Sequence, residues 1–391
     1  MRIVIDSWTL ARRFRCQGTY IYTQNLLREF RKIARTSDRV HFALFASDRN
    51  GNDAIRIEPE EKFELCSSSL LDHDRLWRLG GASFSAARSE ADVIFVPTAA
   101  ILPIGPVPAV CAIHDVTPIT MPSHSKKVSA MQRLLLKGCA RFARAIITSS
   151  ECSKKDIMAL LGVPEEKVSV VHDGCDHAQF NAMPADPADM ASLRSRLGIS
   201  KPYVLHHGTV QPRKNLKRLI EAYRLMLARN QSLDLDLVLA GQMGWASDEV
   251  FSAAIGGQGR GNVILAGVVS EADLVLLIKG AELAVVPSLY EGFSLPMIES
   301  MACGTPTIAS QTSCLPEISG NVLAYFDPLS IDEMTTCMQS VLADSQMRER
   351  LRQKGIERAS NFTWQRCAQE TLDVLMKAGK TRNEKQQWSI H

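Results

Sequence analysis

An adjacent pair of cations is the first feature of this 391-residue chain that could do chemistry. Arg213 and Lys214 lie in the segment QPRKN, shortly after Gly208 and Thr209. Adjacent cations can neutralise a diphosphate, and glycine turns allow backbone amides to approach it closely. The spacing therefore predicts a diphosphate site around Arg213 and Lys214.

Two carboxylates, Glu291 and Glu299, stand on either side of a turn in the segment YEGFSLPMIESMACG. Pro296 near the start of this segment and Gly304 after it predict a short helix, with Glu299 about one turn inside. A carboxylate can accept from two hydroxyls, which suits Glu299 to a ribose diol. We expect Glu291, in the preceding loop, to be free to face a hydroxylated substrate.

Short apolar runs alternate with helical patterns along almost the whole chain, and these elements must position the charged residues. RIVIDS opens the chain as a predicted strand, YTQNLLREFRKIA follows as an amphipathic helix, and AELAVVPS precedes the two glutamates as a buried strand. This alternation is typical of a doubly wound parallel sheet. The fold class is therefore α/β, with two Rossmann-like doubly wound domains facing a cleft.

The rhythm of strands and helices breaks once, which divides the chain. The interrupting segment, GCDHAQFNAMPADPADMASLRSRLGISK, is rich in Ala, Asp and Pro and is predicted to be a linker with a short helix. The predicted parts are an N-terminal domain at 1–175, a linker at 176–201, a second domain at 202–363, and a C-terminal helix with a frayed tail at 364–391.

The carboxyl ends of parallel strands meet at one edge of a sheet, where ligands bind. Residues that follow the predicted strands of the second domain should therefore line one site, with backbone groups near Val268 and Val269 recognising the base. The binding-site residues predicted in this domain are Gly208, Thr209, Arg213, Lys214, Gly241, Val268, Val269, Glu291, Gly292, Phe293, Ser294, Leu295 and Glu299.

Composition places the chain among ordinary globular proteins. Apolar residues make up 46% and charged residues 22%, and the net charge of +3 is too small to indicate nucleic-acid binding. The ten cysteines form no C-x-x-C pair, which argues against a zinc or thioredoxin-like site. With no signal peptide evident, we expect a cytoplasmic protein.

Three segments resemble the family 4 glycosyltransferases of the two-domain GT-B type: HHGTVQPRKN, GAELAVVPSLYEGFSLPMIESMACGTPTIAS and NFTW. The order and spacing of the motifs agree over nearly the whole chain, and the two glutamates match the family's E-x7-E motif. AIHDVTP is similar to the family's His-Asp strand end, which implies that His114 lies near the donor sugar. GTYIYT is similar to the family's glycine loop, with Gly18 present and Tyr20 in place of the second glycine.

The resemblance implies a retaining transfer of sugar from a GDP- or UDP-sugar to a glycan or lipid-linked saccharide, with no cofactor and no metal. Arg213 and Lys214 would stabilise the diphosphate leaving group, Glu299 would hold the ribose, and Glu291 would hold sugar hydroxyls. His114 joins Arg213, Lys214 and Glu291 as a catalytic candidate. In the family the second domain binds the nucleotide sugar and the first offers the acceptor, and we expect the same of 202–363 and 1–175. A C-terminal helix near 364–378 should cross back onto the first domain, as the family's does. HDVTP and the general pattern resemble bacterial mannosyltransferases of polysaccharide assembly.

Two motifs suggest other chemistry, and their positions argue against it. DLD at 234–236 matches the metal-holding D-x-D of the other transferase fold, but it enters a predicted strand and so belongs at the opposite edge. GGQGRG at 256–261 looks like a dinucleotide loop, yet it follows a predicted helix and precedes a strand, the reverse of that fingerprint.

The helix predicted at 125–144 has two open interpretations. Its basic residues, Lys126, Lys127, Arg133, Lys137, Arg141 and Arg144, alternate with apolar ones, and the first 175 residues carry 24 Lys and Arg against 19 Asp and Glu. A basic amphipathic helix suits the surface of an anionic membrane, which here would be the inner face of the plasma membrane. The alternative is a helix that packs on its own sheet with a solvated basic face.

Two rival functions fit the same two-domain plan. A nucleotide-sugar epimerase would use the donor without an acceptor. A non-catalytic sugar-binding protein of the periplasmic kind would need an export signal, which MRIVIDSWTLARRFRC lacks, and would have little use for Arg213 and Lys214.

Overall fold

The structure is a computed structural model that describes residues 1–10, 18–46, 62–121, 126–244, 248–255 and 261–387. The chain divides into two compact units. The first combines Met1–Asp173 with Trp364–His391, and the second is Gly174–Thr363.

The first unit is built on a parallel sheet whose seven strands lie in the order β3-β2-β1-β4-β5-β6-β7. Strands pair in register from Arg2 opposite His41 to Thr148 opposite Val170. The strands are β1 Arg2–Ile5, β2 His41–Ala46, β3 Phe63–Ser67, β4 Val93–Val96, β5 Ala109–Ala112, β6 Ala145–Thr148 and β7 Val168–Val170. The order reverses at β1, as in doubly wound nucleotide-binding folds.

Helices of the first unit connect successive strands, and the last helix of the chain joins them. They are α1 Gly18–Thr36, α2 Asp74–Leu76, α3 Ala82–Arg88, α4 Thr117–Thr120, α5 Lys126–Phe142 and α6 Glu151–Leu161, with α15 Trp364–Gln387 at the end of the chain. Helix α15 contacts α1 and strands β4, β5 and β6. Trp364, Cys367 and Leu375 of α15 are buried in this packing.

The second unit repeats the plan with six parallel strands in the order β10-β9-β8-β11-β12-β13. Its strands are β8 Tyr203–His207, β9 Asp236–Ala240, β10 Val263–Gly267, β11 Leu283–Val286, β12 Thr307–Ser310 and β13 Ala324–Phe326. Its helices are α7 Pro187–Leu197, α8 Leu216–Arg229, α9 Asp248–Ile255, α10 Glu271–Lys279, α11 Leu295–Ala302, α12 Leu315–Ser319, α13 Ile331–Ala343 and α14 Ser345–Ala359.

The core of the second unit follows from helical spacing of apolar residues. Leu219, Tyr223 and Met226 lie on one face of α8 and are buried with Met334 and Met338 of α13 against the sheet. Burial of large apolar side chains at about 1.5–3 kcal/mol each stabilises this layer. This packing fixes the sheet against α8. The loops that follow the strands lie at the carboxyl ends of those strands.

Two doubly wound parallel sheets are confirmed, and some elements differ from expectation. Strand β3 and helices α2 and α3 were not predicted, because their sequence lacks a clear apolar period. Helix α15 runs to Gln387, well past the end expected near 378. Within the described residues, no helix is long and apolar enough to cross a membrane.

Candidate active site

Glycine turns after β8 and β9 form the floor of the candidate site. Gly208 and Gly241 have φ of +134° and +144°, a region that side chains strongly disfavour. A Cβ atom on Gly241 would lie 2.1 Å from the Gly208 carbonyl oxygen. The Gly208 amide donates to the Ala240 carbonyl at 2.9 Å, and the Gly241 amide donates to the Gly267 carbonyl at 2.7 Å. Three strand ends are therefore joined where only glycine fits.

The cation pair lies directly beside this floor. A short 3-10 turn, Pro212–Lys214, ends at Asn215, whose φ is +60°. The Asn215 side-chain Nδ2 donates to the Pro287 carbonyl at 3.1 Å and to the Pro328 carbonyl at 2.7 Å, which ties the turn to the ends of β11 and β13. Lys214 is buried, and its Nζ is 3.8 Å from the position that a Gly208 Cβ would take.

Glu291 is paired with both cations. Its Oε2 accepts from Arg213 Nη1 at 2.5 Å, and its Oε1 accepts from Lys214 Nζ at 2.5 Å and from Ser288 Oγ at 2.7 Å. Glu291 is only 4% exposed. In this structure the Glu291 carboxylate is therefore not free, since both of its oxygens accept from protein donors, and its contact with sugar hydroxyls stays a prediction.

The electrostatics of this group follow from competition between burial and charge. Burial opposes ionisation of Glu291, but Arg213 and Lys214 outweigh it and lower the pKa of the carboxyl to about 2. Burial lowers the pKa of Lys214, while Glu291 acts to raise it. Two basic side chains, Arg213 and Lys214, thus share the one carboxylate of Glu291.

The pKa of Glu299 is shifted the other way, although this residue lies in the same segment as Glu291. It is buried inside α11, and burial, with the charge of Glu271, raises its pKa to about 7. His207 Nδ1 is 3.6 Å from Glu299 Oε2, but burial lowers the pKa of His207 to about 3, so the imidazole is neutral. Glu299 therefore has no charged partner in His207.

The start of α11 has an unusual backbone. Ser294 precedes the helix with φ of +79°, rare for a residue with a side chain, and Pro296 occupies the first turn. The buried Ser294 Oγ has no hydrogen-bond partner among the described residues. Phe293 packs edge-on against Phe362, with ring centroids 5.4 Å apart. The helix amides of this turn, with Gly292 and Leu295 beside them, are suited to an anion.

The remaining predicted residues of the second unit also follow its strands. Thr209 is half-buried after β8, and Val268 and Val269 follow β10, where Val268 is exposed. The structure thus brings the predicted donor-site residues of this unit to one edge of one sheet.

The two predicted residues of the first unit lie at separate elements of that unit. His114 follows β5, and its Nε2 is 3.2 Å from the Pro97 carbonyl oxygen. The Tyr22 ring meets the His114 ring edge-on at 4.6 Å. Gly18 begins α1 with open space around it, so packing does not demand a glycine there.

Sequence reasoning missed the groups that hold these charged residues. Ser288 and Gln211 contact Glu291 and Arg213, yet a serine and a glutamine carry no motif of their own. In the first unit, burial raises the pKa of Asp173 to about 6, and its Oδ1 has no hydrogen-bond partner among the described residues. A carboxylate directly after a predicted strand was the available signal for Asp173.

The two motifs set aside earlier have different outcomes. Asp236 is the first residue of β9, at the edge away from the site, and its Oδ1 accepts from the Asn262 amide at 2.9 Å, so the predicted position of DLD is confirmed. Residues 256–260 of GGQGRG lie outside the described residues. In the described part of the chain, no three His, Cys, Asp or Glu side chains are grouped to hold a metal ion.

Solved structures show the class of fold to which this arrangement belongs. Sucrose-phosphate synthase from Thermosynechococcus elongatus superposes with a TM-score of 0.73 at 18% identity, over 96% of this chain and 98% of that one. HepE from Anabaena, in complex with UDP and glucose, gives 0.72 at 21% identity over 96% and 100%. The glycosyltransferase WaaG gives 0.66 at 14% identity over 96% and 99%. The fold is that of the GT-B glycosyltransferases.

Sequence comparison gives the family. Residues 190–358 match the model for glycosyl transferases group 1, and residues 17–179 match that for glycosyltransferase family 4. O-antigen chain mannosyltransferase B from Escherichia coli is 30% identical over 269 residues, which is 68% of this chain and 69% of that protein. The chain belongs to the family 4, group 1 glycosyltransferases. This favours a glycosyltransferase over the epimerase and the sugar-binding protein.

Other relatives are covered less completely. MMP alpha-(1->4)-mannosyltransferase from Mycolicibacterium hassiacum is 31% identical over 62% of this chain and 56% of its own length. The serotype-specific mannosyltransferase WbdA from Escherichia coli is 24% identical over 74% of this chain, but the match spans only 36% of WbdA.

Proposed function

We propose that this glycosyltransferase transfers mannose, with retention of configuration, from a nucleotide sugar to a saccharide or lipid-linked saccharide acceptor in polysaccharide assembly. The names of the relatives support mannose as the sugar. GDP- and UDP-mannose are both candidate donors, because the family resemblance implies a GDP- or UDP-sugar. A solved neighbour holds UDP. No cofactor or metal is part of the proposal.

One observation carries the proposal: Arg213, Lys214 and the start of α11 converge beside the glycine floor. Cations and helix amides in a protected site stabilise the charge that develops on a departing diphosphate. Glu299, one turn into α11, is suited to the ribose hydroxyls at the other flank of that diphosphate. These groups support binding of the diphosphate and the ribose of a nucleotide sugar.

The test is a transfer assay with GDP-mannose and UDP-mannose offered against mannose-containing oligosaccharide and lipid-linked acceptors. We expect product with an α-linkage, assigned by NMR, and more than about a hundredfold loss in Lys214→Met, because the leaving group loses a buried cation. Transfer of another sugar only would contradict the mannose proposal. A β-linked product from an α-donor would contradict retention.

We further propose that the first unit contacts an anionic membrane through α5. The inner face of this helix is buried at Leu135, Leu136 and Cys139, while Met131, Leu134 and Phe142 are exposed. Lys127, Arg133, Lys137 and Arg141 are exposed around them. A surface that combines exposed apolar side chains with cations suits anionic headgroups. The helix thus packs on its own unit through its buried face, and we propose that its exposed face meets the membrane.

Vesicle co-sedimentation tests this contact. The chain should sediment with phosphatidylglycerol vesicles and remain in the supernatant with phosphatidylcholine vesicles. Replacing Met131 and Leu134 by serine should weaken sedimentation, whereas the matched change of exposed Leu329 in the second unit should not. Equal sedimentation with both lipids would contradict the proposal.

A further inference from the structure

We infer that Phe362 is a positioning residue for the donor site, because its ring holds Phe293 and thereby sets the direction of the loop at 291–294 that leads into α11. The inference rests on the proposed function, since it adds one residue to that same site. Phe362 belongs to NFTW, a segment that carried the family resemblance but was given no part in the chemistry. It lies in the second unit, far along the chain from the loop that it contacts.

The contact between Phe362 and the loop is an edge-on pair of aromatic rings. The Phe293 and Phe362 ring centroids are 5.4 Å apart, with an angle of 78° between the ring planes. Both side chains are only 4% exposed. In such a pair the positive edge of one ring meets the negative face of the other, so the contact favours one relative orientation. Phe293 is therefore fixed in direction as well as in place.

Phe293 immediately precedes the residue at which the chain turns into α11. Ser294 has φ of +79°, and its side chain makes no capping hydrogen bond to the helix. A conformation of this kind persists only where the surrounding structure imposes it. The buried ring of Phe293 supplies part of that constraint, so support from Phe362 is passed through Ser294 to the first amides of α11.

The ring of Phe362 is itself held by a cation. The guanidinium carbon of Arg358 lies 5.0 Å from the Phe362 ring centroid. The same guanidinium donates from Nε to the Ile318 carbonyl at 2.8 Å and from Nη2 to the Glu317 carbonyl at 3.1 Å, near the C-terminal end of α12. Cations are favoured both over aromatic faces and at the carboxyl ends of helices, so Arg358 is fixed between the two.

The backbone of Phe362 is fastened as well. Its carbonyl oxygen accepts from the Cys175 amide at 3.1 Å and lies 3.0 Å from His177 Nε2. Its amide donates to the Ala359 carbonyl at 3.0 Å. Phe362 is thus held by its ring and by its backbone, which makes it a firm support for the loop.

A consequence follows for which ligands Phe362 affects. The first amides of α11 are suited to phosphate oxygens, and a nucleoside has none. Loss of the Phe362 ring should let the loop change direction, so binding of a nucleoside diphosphate should weaken while binding of the bare nucleoside changes little. A residue that served only the stability of the unit would not distinguish these two ligands.

The experiment is calorimetric titration of the full chain with GDP, UDP, guanosine and uridine. We expect Phe362→Leu to bind the preferred diphosphate about fivefold more weakly, and the corresponding nucleoside less than about twofold more weakly. The matched control is Phe30→Leu, which removes one ring of the buried Phe30–Phe42 stack in the first unit, where the centroids are 4.9 Å apart. It should lower the melting temperature and leave the affinity for both ligands unchanged.

A double-mutant cycle shows whether Phe362 acts through Phe293. Phe293→Leu should also weaken the diphosphate, and adding Phe362→Leu to it should weaken binding by less than about twofold more, because the ring pair is already lost. Additive losses in the double variant would overturn the inference. Unchanged diphosphate affinity in Phe362→Leu, or equal weakening of diphosphate and nucleoside, would overturn it too.

These outcomes are distinct from failure of the proposed function. Each of them leaves the donor site standing, because the natural chain still binds the nucleotide. Failure of the natural chain to bind either GDP or UDP would contradict the donor site, and the inference with it. Should Phe362→Leu not fold, Arg358→Met decides: it removes the cation over the ring and should weaken the diphosphate alone about threefold, and unchanged affinity would overturn the inference.

Discussion

The pKa values of two glutamates eight positions apart are shifted in opposite directions in this chain. The cations outweigh burial at Glu291 and hold its pKa near 2, while burial raises the pKa of Glu299 to about 7. The contribution of Glu291 to the free energy of unfolding is present above its unfolded pKa of 4.5 and is lost as pH falls toward 2. For Glu299 the unfolded chain releases its proton first, so stability falls as pH rises from 4.5 to about 7.

The raised pKa of Glu299 predicts that binding of the ribose depends on pH. An ionised carboxylate accepts stronger hydrogen bonds than a protonated one, so GDP or UDP, whichever binds, should bind about fivefold more tightly at pH 8 than at pH 6. The 2′-deoxy nucleotide should show less of this dependence, which controls for titration of the phosphates. Glu299→Gln should abolish the difference in pH dependence between the ribonucleotide and its 2′-deoxy form. Equal pH profiles for both nucleotides with the natural chain would contradict the ribose role.

Among the elements of the second unit, the turns after the strands, rather than the strands themselves, fix the positions of the site's backbone groups. The strand ends approach so closely that Gly241 leaves no room for a methyl group, which would meet the Gly208 carbonyl oxygen. Ser294 holds a backbone conformation that costs about 1 kcal/mol or more, and such strain is concentrated where function requires an exact direction of the chain. Helix α11 begins at this point, so its first amides are aimed by the turn.

Gly241→Ala is expected to disrupt the floor of the site. The new Cβ atom would meet the Gly208 carbonyl in a backbone region hostile to alanine, so we expect a loss of about 2 kcal/mol or more and a melting temperature lowered by about 5 °C. Nucleotide binding should weaken with it. Differential scanning fluorimetry checks both effects.

The matched control is Gly355→Ala in α14. There the added Cβ atom would meet Met301 at an ordinary 3.5 Å, and alanine favours the helix by about 0.5–1 kcal/mol. This variant should melt at the same temperature or slightly higher. A Gly241→Ala variant as stable as Gly355→Ala would show that the close approach of the two turns is not essential.

Each of the two units of the whole molecule repeats one topology, and the chain enters the first unit twice. Asp173 ends the first passage and Trp364 begins the second. Trp364 packs against Tyr22 of α1, with ring centroids 6.2 Å apart, and the buried residues Cys367, Ala368, Leu372 and Leu375 follow it. The first unit therefore draws part of its core from the far end of the sequence.

Removal of residues 364–391 should destabilise the first unit selectively. Hydrogen exchange followed by mass spectrometry should show faster exchange in α1 and β4–β6, which lose the apolar cover of α15, and little change in β8–β13. Removal of 388–391 alone keeps all of α15 and should leave the exchange pattern unchanged. Equal loss of protection in both units would contradict this selectivity.

The sequence by itself determined the alternating elements, the glycines after β8 and β9, and the edge at which the charged residues collect, because apolar period and turn chemistry are local properties. Tertiary structure alone decided what Glu291 binds. Lys214 and Glu291 are 77 positions apart, and they meet because the crossover places β11 beside β8. Burial then set opposite pKa shifts on Glu291 and Glu299, since desolvation and partner charges depend on neighbours that no spacing along the chain reveals.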